Sequence, residues 1–160
     1  MLFKTHIAFA FLISLFIYPH FDFIPLSSIL IICISSTFPD LDHPNSKISK
    51  KNPLRHITKL VLKHRGFLHS IFTPIFLYLL LFLVNNELAL LVFIGYTSHL
   101  LIDAFTKRGI KPLHPLFNFK IKGNTRTNSI VETFLFLLIL LLILLKLILT
   151  HWTYAREIFK

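Results

Sequence analysis

Charge is scarce in this chain, and cysteine is nearly absent. Only 15% of the 160 residues are charged, and Asp and Glu together number 7. A soluble domain of this length carries more charge, and fewer phenylalanines than the 18 present here. The single cysteine, Cys33, excludes an intramolecular disulfide; it sits in an apolar run and reads as a small buried hydrophobe. No A-x-A-like cleavage site lies near Pro19. The apolar stretch after Lys4 therefore reads as a retained first helix, not as a signal peptide that is removed. Internal repeats and low-complexity linkers are also absent, so one domain over 1–160 is expected.

What is present is apolar and basic. Hydrophobic residues make up 54% of the chain, and the mean hydropathy is +0.71. Such composition in long runs predicts an all-α, polytopic membrane bundle of about five transmembrane or re-entrant helices. Helix one is expected over Thr5–Tyr18, which is short for a full span of about 20 residues. Helix two is expected over Ile24–Phe38, with Pro25 in its first turn, where proline is tolerated. Helix three covers Phe67–Val84 with Pro74 inside it, helix four Glu87–Phe105, and helix five Ile130–Thr150. Between helices two and three, Asn52-Pro53 supplies an N-cap and an N1 proline. Leu54, Ile57, Leu60 and Val61 then recur at helical spacing, opposite Arg55, Lys59 and Lys63. That pattern predicts a short interfacial amphipathic helix; the alternative is a solvated connector helix. In the tail, Trp152 and Tyr154 read as interfacial anchors.

Seventeen Lys and Arg give a net charge of +10, which suits nucleic acid or an anionic membrane surface. The hydropathy favours the membrane, and no fold for reading bases is evident, so no nucleic-acid partner is expected. The cations are unevenly shared. Lys47, Lys50, Lys51, Arg55, Lys59, Lys63 and Arg65 fall between helices two and three. Lys107, Arg108, Lys111, Lys120, Lys122 and Arg126 fall between helices four and five. The turns at 19–23 and 85–87 have none. Positive charge inside then places both basic loops and the N-terminus in the cytoplasm.

On that topology the polar groups converge. His6 starts helix one. Asp40 and Asp42 follow helix two, in the segment Pro39-Asp40-Leu41-Asp42-His43-Pro44. His64, Arg65 and His69 surround the start of helix three, and His99 and Asp103 share one face near the end of helix four. Glu132 starts helix five. Ionisable groups at a membrane boundary are costly to desolvate and usually face water, a cation or a partner. Imidazole and carboxylate together suit Zn, Mn, Fe or Ni. The seven groups His6, Asp40, Asp42, His64, His69, His99 and Asp103 exceed the ligand set of one zinc, so one or two divalent ions are expected. Each element also has a plainer reading. His6 could be a polar helix end, His99 and Asp103 a mutual pair, Asp40 and Asp42 a helix-ending turn, and Arg65 a headgroup contact. For His20, His56, His114 and His151 the plainer reading prevails, and His43 stays open.

Four ordered motifs carry a family resemblance. They are Lys4-Thr5-His6, Pro39-Asp40-Leu41-Asp42-His43-Pro44, His64-Arg65-Gly66-Phe67-Leu68-His69-Ser70, and Gly95-Tyr96-Thr97-Ser98-His99-Leu100-Leu101-Ile102-Asp103. Phe105-Thr106, Gly109, and Ser129 with Glu132 also fit. Together they resemble the YdjM family of membrane-bound metal-dependent hydrolases. The chain departs at Thr127-Asn128-Ser129, where the resemblance implies a glycine before the serine. It implies hydrolase chemistry at a metal site, in a protein of the bacterial inner (cytoplasmic) membrane.

The expected function is a membrane-bound, metal-dependent hydrolase acting on a phosphoester or lipid substrate among membrane lipids. Arg65 would bind the substrate, as its planar fork suits phosphate. Glu132 or His43 would shuttle a proton. A non-catalytic metal-binding protein, a sensor or transporter subunit, is the alternative. Transport needs polar groups along the whole crossing, and the outer halves of helices three to five are nearly all Leu, Ile, Phe and Val.

Overall fold

The computed structural model describes residues 1–42 and 67–158. Among them are five α-helices: α1 (Phe3–Ile17), α2 (Pro25–Ser35), α3 (Phe72–Phe82), α4 (Asn86–Ala104) and α5 (Ile130–Ile158). Short 3-10 turns follow α1 at Tyr18–His20 and α2 at Phe38–Asp42. The described residues hold no strand, only two isolated bridges, Thr106 with Thr125 and Ile110 with Ile121. The amphipathic helix expected around Leu54–Val61 lies outside the described residues.

Two helices are long and apolar enough to cross a membrane, Asn86–Ala104 and Ile130–Trp152. α2 and α3 have 11 residues each and α1 has 15. Helix bounds depart from expectation in several places: α2 ends at Ser35, with Phe38 in the 3-10 turn that follows, and the largest differences are in α5 and α3. α5 continues past Thr150 to Ile158, and α3 starts at Phe72, not Phe67. Two hydroxyls explain the late start of α3. Ser70 Oγ and Thr73 Oγ1 donate to the Phe67 carbonyl at 2.6 and 2.7 Å. Such local side-chain bonds compete with the helical ladder. Pro74 therefore falls in the first turn of α3, where its missing N–H costs nothing. α4 begins with a cap: Asn85 Oδ1 accepts from the Leu88 N–H at 2.9 Å.

α4 is the centre of the packing. On one side it meets α2 and α1 through Ala10, Ile32 and Leu91. On another, Ile102 joins Ala8 and Leu12 of α1 and Ile139 of α5. Tyr96 and Leu100 pack with Ile110 of the following loop, and the Tyr96 hydroxyl donates to the Leu68 carbonyl at 2.7 Å. α1 and α5 run parallel: Lys4 lies over the Phe136 ring and Lys146 over the Phe16 ring. Most of α5 otherwise presents Leu and Ile outward, as a lipid-facing helix would.

All five helices have one end in common. α1, α3 and α5 start there, and α2 and α4 finish there. At the opposite end the two turns without Lys or Arg are tied together, because the Asp22 N–H donates to Glu87 Oε1 at 3.3 Å.

The contact of α2 with α4 depends on Gly95. A Cβ there would collide with the Ile32 carbonyl oxygen and with Ser35 Oγ. Gly95→Ala should therefore push α2 away at a cost of about 1–3 kcal/mol, the usual range for overpacking. Thermal unfolding in detergent checks this; an unchanged Tm would refute the close-contact role.

Candidate metal centre

His99 is the middle of the site. It sits on the face of α4 that meets α2 and is 1% exposed. Its Nδ1 lies 2.7 Å from the Ser36 carbonyl oxygen. A carbonyl can only accept, so Nδ1 carries the hydrogen and donates. In a neutral imidazole the lone pair is then on Nε2. That Nε2 is buried and makes no hydrogen bond. It faces Asp103 Oδ2 at 3.6 Å and Asp40 Oδ1 at 3.9 Å. A lone pair aimed at carboxylate oxygens is repelled unless a cation lies between them. Two ligand atoms at about 2.1 Å from a tetrahedral ion are roughly 3.4 Å apart. The observed gaps are close to that separation and too long for hydrogen bonds.

The neighbours complete the set. His6, one turn into α1, is 3% exposed. Its ring stacks on His99 with centroids 3.8 Å apart and planes within 8°. His6 Nε2 lies 3.3 Å from Asp103 Oδ1, and its buried Nδ1 makes no hydrogen bond. His69, in the turn before α3, approaches Asp103 Oδ2 at 3.8 Å and meets the His99 ring edge-on. Asp103 thus divides its oxygens. Oδ1 faces His6 and the Met1 amino nitrogen, which is 2.7 Å away. Oδ2 faces His69 and His99. Two triads with mutually close ligand atoms result, His6–His99–Asp103 and Asp40–His69–His99. They share His99, whose one remaining nitrogen can bind a single ion.

The structure therefore brings together His6, Asp40, His69, His99 and Asp103 from four separate stretches of chain. Asp42 ends the 3-10 turn that carries Asp40; its side chain, and His43, His64 and Arg65, lie outside the described residues. His20 and Asp22 lie in the turn that follows α1, at the far end of that helix from His6.

Glu132 is held in a different way. It is 1% exposed. Oε1 accepts from the Leu2 N–H and from Thr5 Oγ1, and Oε2 accepts from the Asn128 N–H. Ser129 Oγ accepts from the Glu132 N–H at 3.3 Å. Both carboxylate oxygens are engaged, and they clamp the first turn of α1, which carries His6, to the start of α5. A carboxylate among these N-terminal N–H groups also complements the helix dipoles. Sequence reasoning places Glu132 at this end of the bundle but does not find its partners, which are mainly backbone groups.

Asn128 explains the departure from the expected glycine. Its φ is +63°, the left-handed region. Glycine adopts that conformation freely, and asparagine is among the few side chains that tolerate it.

Two sets of substitutions follow from the clamp. Glu132→Ala strands the Leu2 and Asn128 donors and should cost about 1–3 kcal/mol. Asn128→Gly should leave stability nearly unchanged, while Asn128→Val should lose about 1–2 kcal/mol to left-handed strain. Denaturant midpoints in detergent measure all three; equal midpoints for the Gly and Val variants would sink the explanation of Asn128.

Over 85 residues the chain is 33% identical to the Uncharacterized protein YvsG of Bacillus subtilis (strain 168). That stretch is 51% of this chain and 53% of that protein, so the chain spans about half the length of the curated relative it matches. No solved structure matches it. The family described as YdjM inner membrane protein matches residues 1–158, which include all five clustered His and Asp residues. With nearly its whole length matched, the chain belongs to the YdjM inner membrane protein family.

Proposed function

We propose that this chain is a polytopic membrane protein that holds one or two divalent metal ions at the cytoplasmic face of the inner membrane. We propose further that it hydrolyses a phosphoester or lipid substrate there. One observation carries the metal reading: a buried His99 Nε2 with no hydrogen bond, set opposite two carboxylates. Two nearby imidazoles and the absence of cysteine from the cluster favour Zn, Mn, Fe or Ni. Such an ion, when bound, supplies Lewis acidity and a water activated near neutral pH.

The chain's own residues have distinct tasks in this reading. The Ser36 carbonyl fixes the tautomer of His99 and turns Nε2 toward the donors, as backbone carbonyls do behind metal-ligating histidines. Asp103 joins the two halves of the cluster. His99 Nε2, Asp40, His69 and Asp103 Oδ2 would hold one ion. His6 and Asp103 Oδ1 would contribute to a second, with the Met1 amino group displaced from that oxygen or deprotonated. Asp42 and His64 extend the donor set from segments adjoining the cluster in sequence. Arg65 would bind the phosphoryl group, and His43 is the better candidate for moving a proton, since Glu132 has both oxygens engaged. α1, α2 and α3 enter the membrane in this reading as tilted or re-entrant elements beside α4 and α5. The basic segment after α4 supports the cytoplasmic assignment, because it starts at the same helix end as the site.

The test is metal content followed by turnover. Wild-type protein should purify with a first-row metal or take one up. His99→Ala and Asp103→Ala should lose it, and Asp40→Ala and His69→Ala should weaken binding by roughly tenfold or more. His20→Ala and His151→Ala should retain it. Chelation should lower Tm, because a bound ion favours the folded state. Failure of the wild type to hold any first-row metal would falsify the site. Metal-loaded protein in mixed-lipid vesicles should also release phosphate or headgroup faster than Asp103→Ala. Tight metal binding without such turnover would replace the hydrolase with a non-catalytic metal-binding protein.

A further inference from the structure

The segment between α4 and α5 has a feature that the metal site does not use. Between Asp103 and Glu132 the sequence has six cations and no acid. The segment is folded, not slack. Ile110 and Ile121 pair through two backbone hydrogen bonds of 2.9 and 3.0 Å. Gly109, at φ +61°, turns the chain into that pair, and a Cβ there would collide with the Ile121 carbonyl oxygen. The Pro112 carbonyl accepts from the Ile71 N–H at 2.9 Å, which fixes the hairpin to the start of α3. At the tip, the Phe117 N–H donates to the Leu113 carbonyl, and Lys111 Nζ donates to Asn118 Oδ1.

This well-braced hairpin presents its apolar side chains outward. Leu116, Phe117 and Phe119 are 69%, 63% and 61% exposed. Lys111, Lys120 and Lys122 flank them in sequence. Exposed apolar residues grouped in this way mark a binding surface. An apolar tip with a cationic rim is the pattern of a segment lying at an anionic lipid surface, with rings in the acyl boundary and ammonium groups among headgroups. A second copy of the chain fits less well, because it would bring Lys111, Lys120 and Lys122 toward their equivalents.

We propose that the hairpin Ile110–Ile121 inserts Leu116, Phe117 and Phe119 into the leaflet beside the site and gathers anionic lipid headgroups around Lys111, Lys120 and Lys122. The inference rests on the reading that α4 and α5 cross the bilayer, and it does not depend on the metal. The segment begins and ends at helix ends, so it lies at the depth of the headgroups. It would keep a local supply of anionic phosphoester headgroups next to the His/Asp cluster.

The chain's only tryptophan, Trp152, makes the test direct. Full-length Trp152→Phe protein carrying Phe117→Trp is reconstituted in vesicles with brominated lipids, and Phe119→Trp provides an independent reporter. Leu141→Trp in the same background reports on α5 itself. An indole at position 117 or 119 should emit to the blue of exposed indole and be quenched about twofold more by brominated phosphatidylglycerol than by brominated phosphatidylcholine. Combining Lys111→Gln, Lys120→Gln and Lys122→Gln should abolish that preference. Quenching in the Leu141→Trp variant but in neither hairpin variant overturns the insertion while leaving the crossing intact. No quenching in the Leu141→Trp variant overturns the crossing reading and the proposal with it. Blue emission that ignores bromine and changes with protein-to-lipid ratio assigns the surface to a second copy, which also overturns it.

Discussion

One hydrogen bond joins the chemistry to the fold, from His99 Nδ1 to the Ser36 carbonyl. It decides which nitrogen holds the lone pair and where that lone pair points. The carbonyl belongs to the C-cap residue of α2, and the ring belongs to α4. Their separation is therefore set by how closely two helices approach, and that approach is set by Gly95. A slip of α2 by one residue would move the carbonyl about 1.5 Å along its axis. The ring would lose its orienting partner, and Nε2 would no longer face both carboxylates. The most specific feature of the site thus rests on an absent side chain and a main-chain oxygen.

Helix direction sorts the charges around this point. α2 and α4 deliver their C-terminal ends to the cluster, and such ends carry partial negative charge. That field favours a cation beside Asp40, His99 and Asp103. α1 and α5 deliver N-terminal ends, whose N–H groups carry partial positive charge, and there Glu132 is found with its oxygens satisfied. Two carboxylate systems, one half-buried and one buried, therefore lie at one end of the molecule with opposite tasks. Asp103 faces three imidazoles and the Met1 amino group, while Glu132 is occupied mainly by the backbone. The sharing of labour follows from helix order alone, since it depends only on which helices start and which finish there.

Much of this is legible in the residues. The i, i+4 spacing of His99 and Asp103 places them on one helix face. The uneven sharing of Lys and Arg, with the turn residues, gives a helix order that brings His6, Asp40 and His69 to the same end. The remainder is hidden for identifiable reasons. The start of α3 is masked because Phe67–Ile71 continues the apolar pattern, while Ser70 and Thr73 end it by capturing one carbonyl. The polar residues after Thr150 look like a separate tail, yet α5 continues to Ile158. Ser36 and the partners of Glu132 act largely through backbone atoms, which leave no side-chain signature. Asn128 looks like a mismatch only while residue identity is read without φ.

The brevity of α2 and α3 has a consequence for the proposed membrane placement. Eleven residues rise about 16 Å, roughly half of a bilayer's hydrocarbon thickness. Both helices nevertheless expose apolar stripes: Leu26, Leu30 and Ile34 on α2, and Phe76, Leu79 and Leu80 on α3. If these helices enter the bilayer as proposed, lipid packed against those stripes would experience hydrophobic mismatch, and a bilayer answers mismatch by thinning locally. A dimple on the side where α2 ends and α3 begins would lower the headgroups toward Asp40 and His69. In the proposed reading, a lipid would then reach the His/Asp cluster with its polar end without leaving its own leaflet.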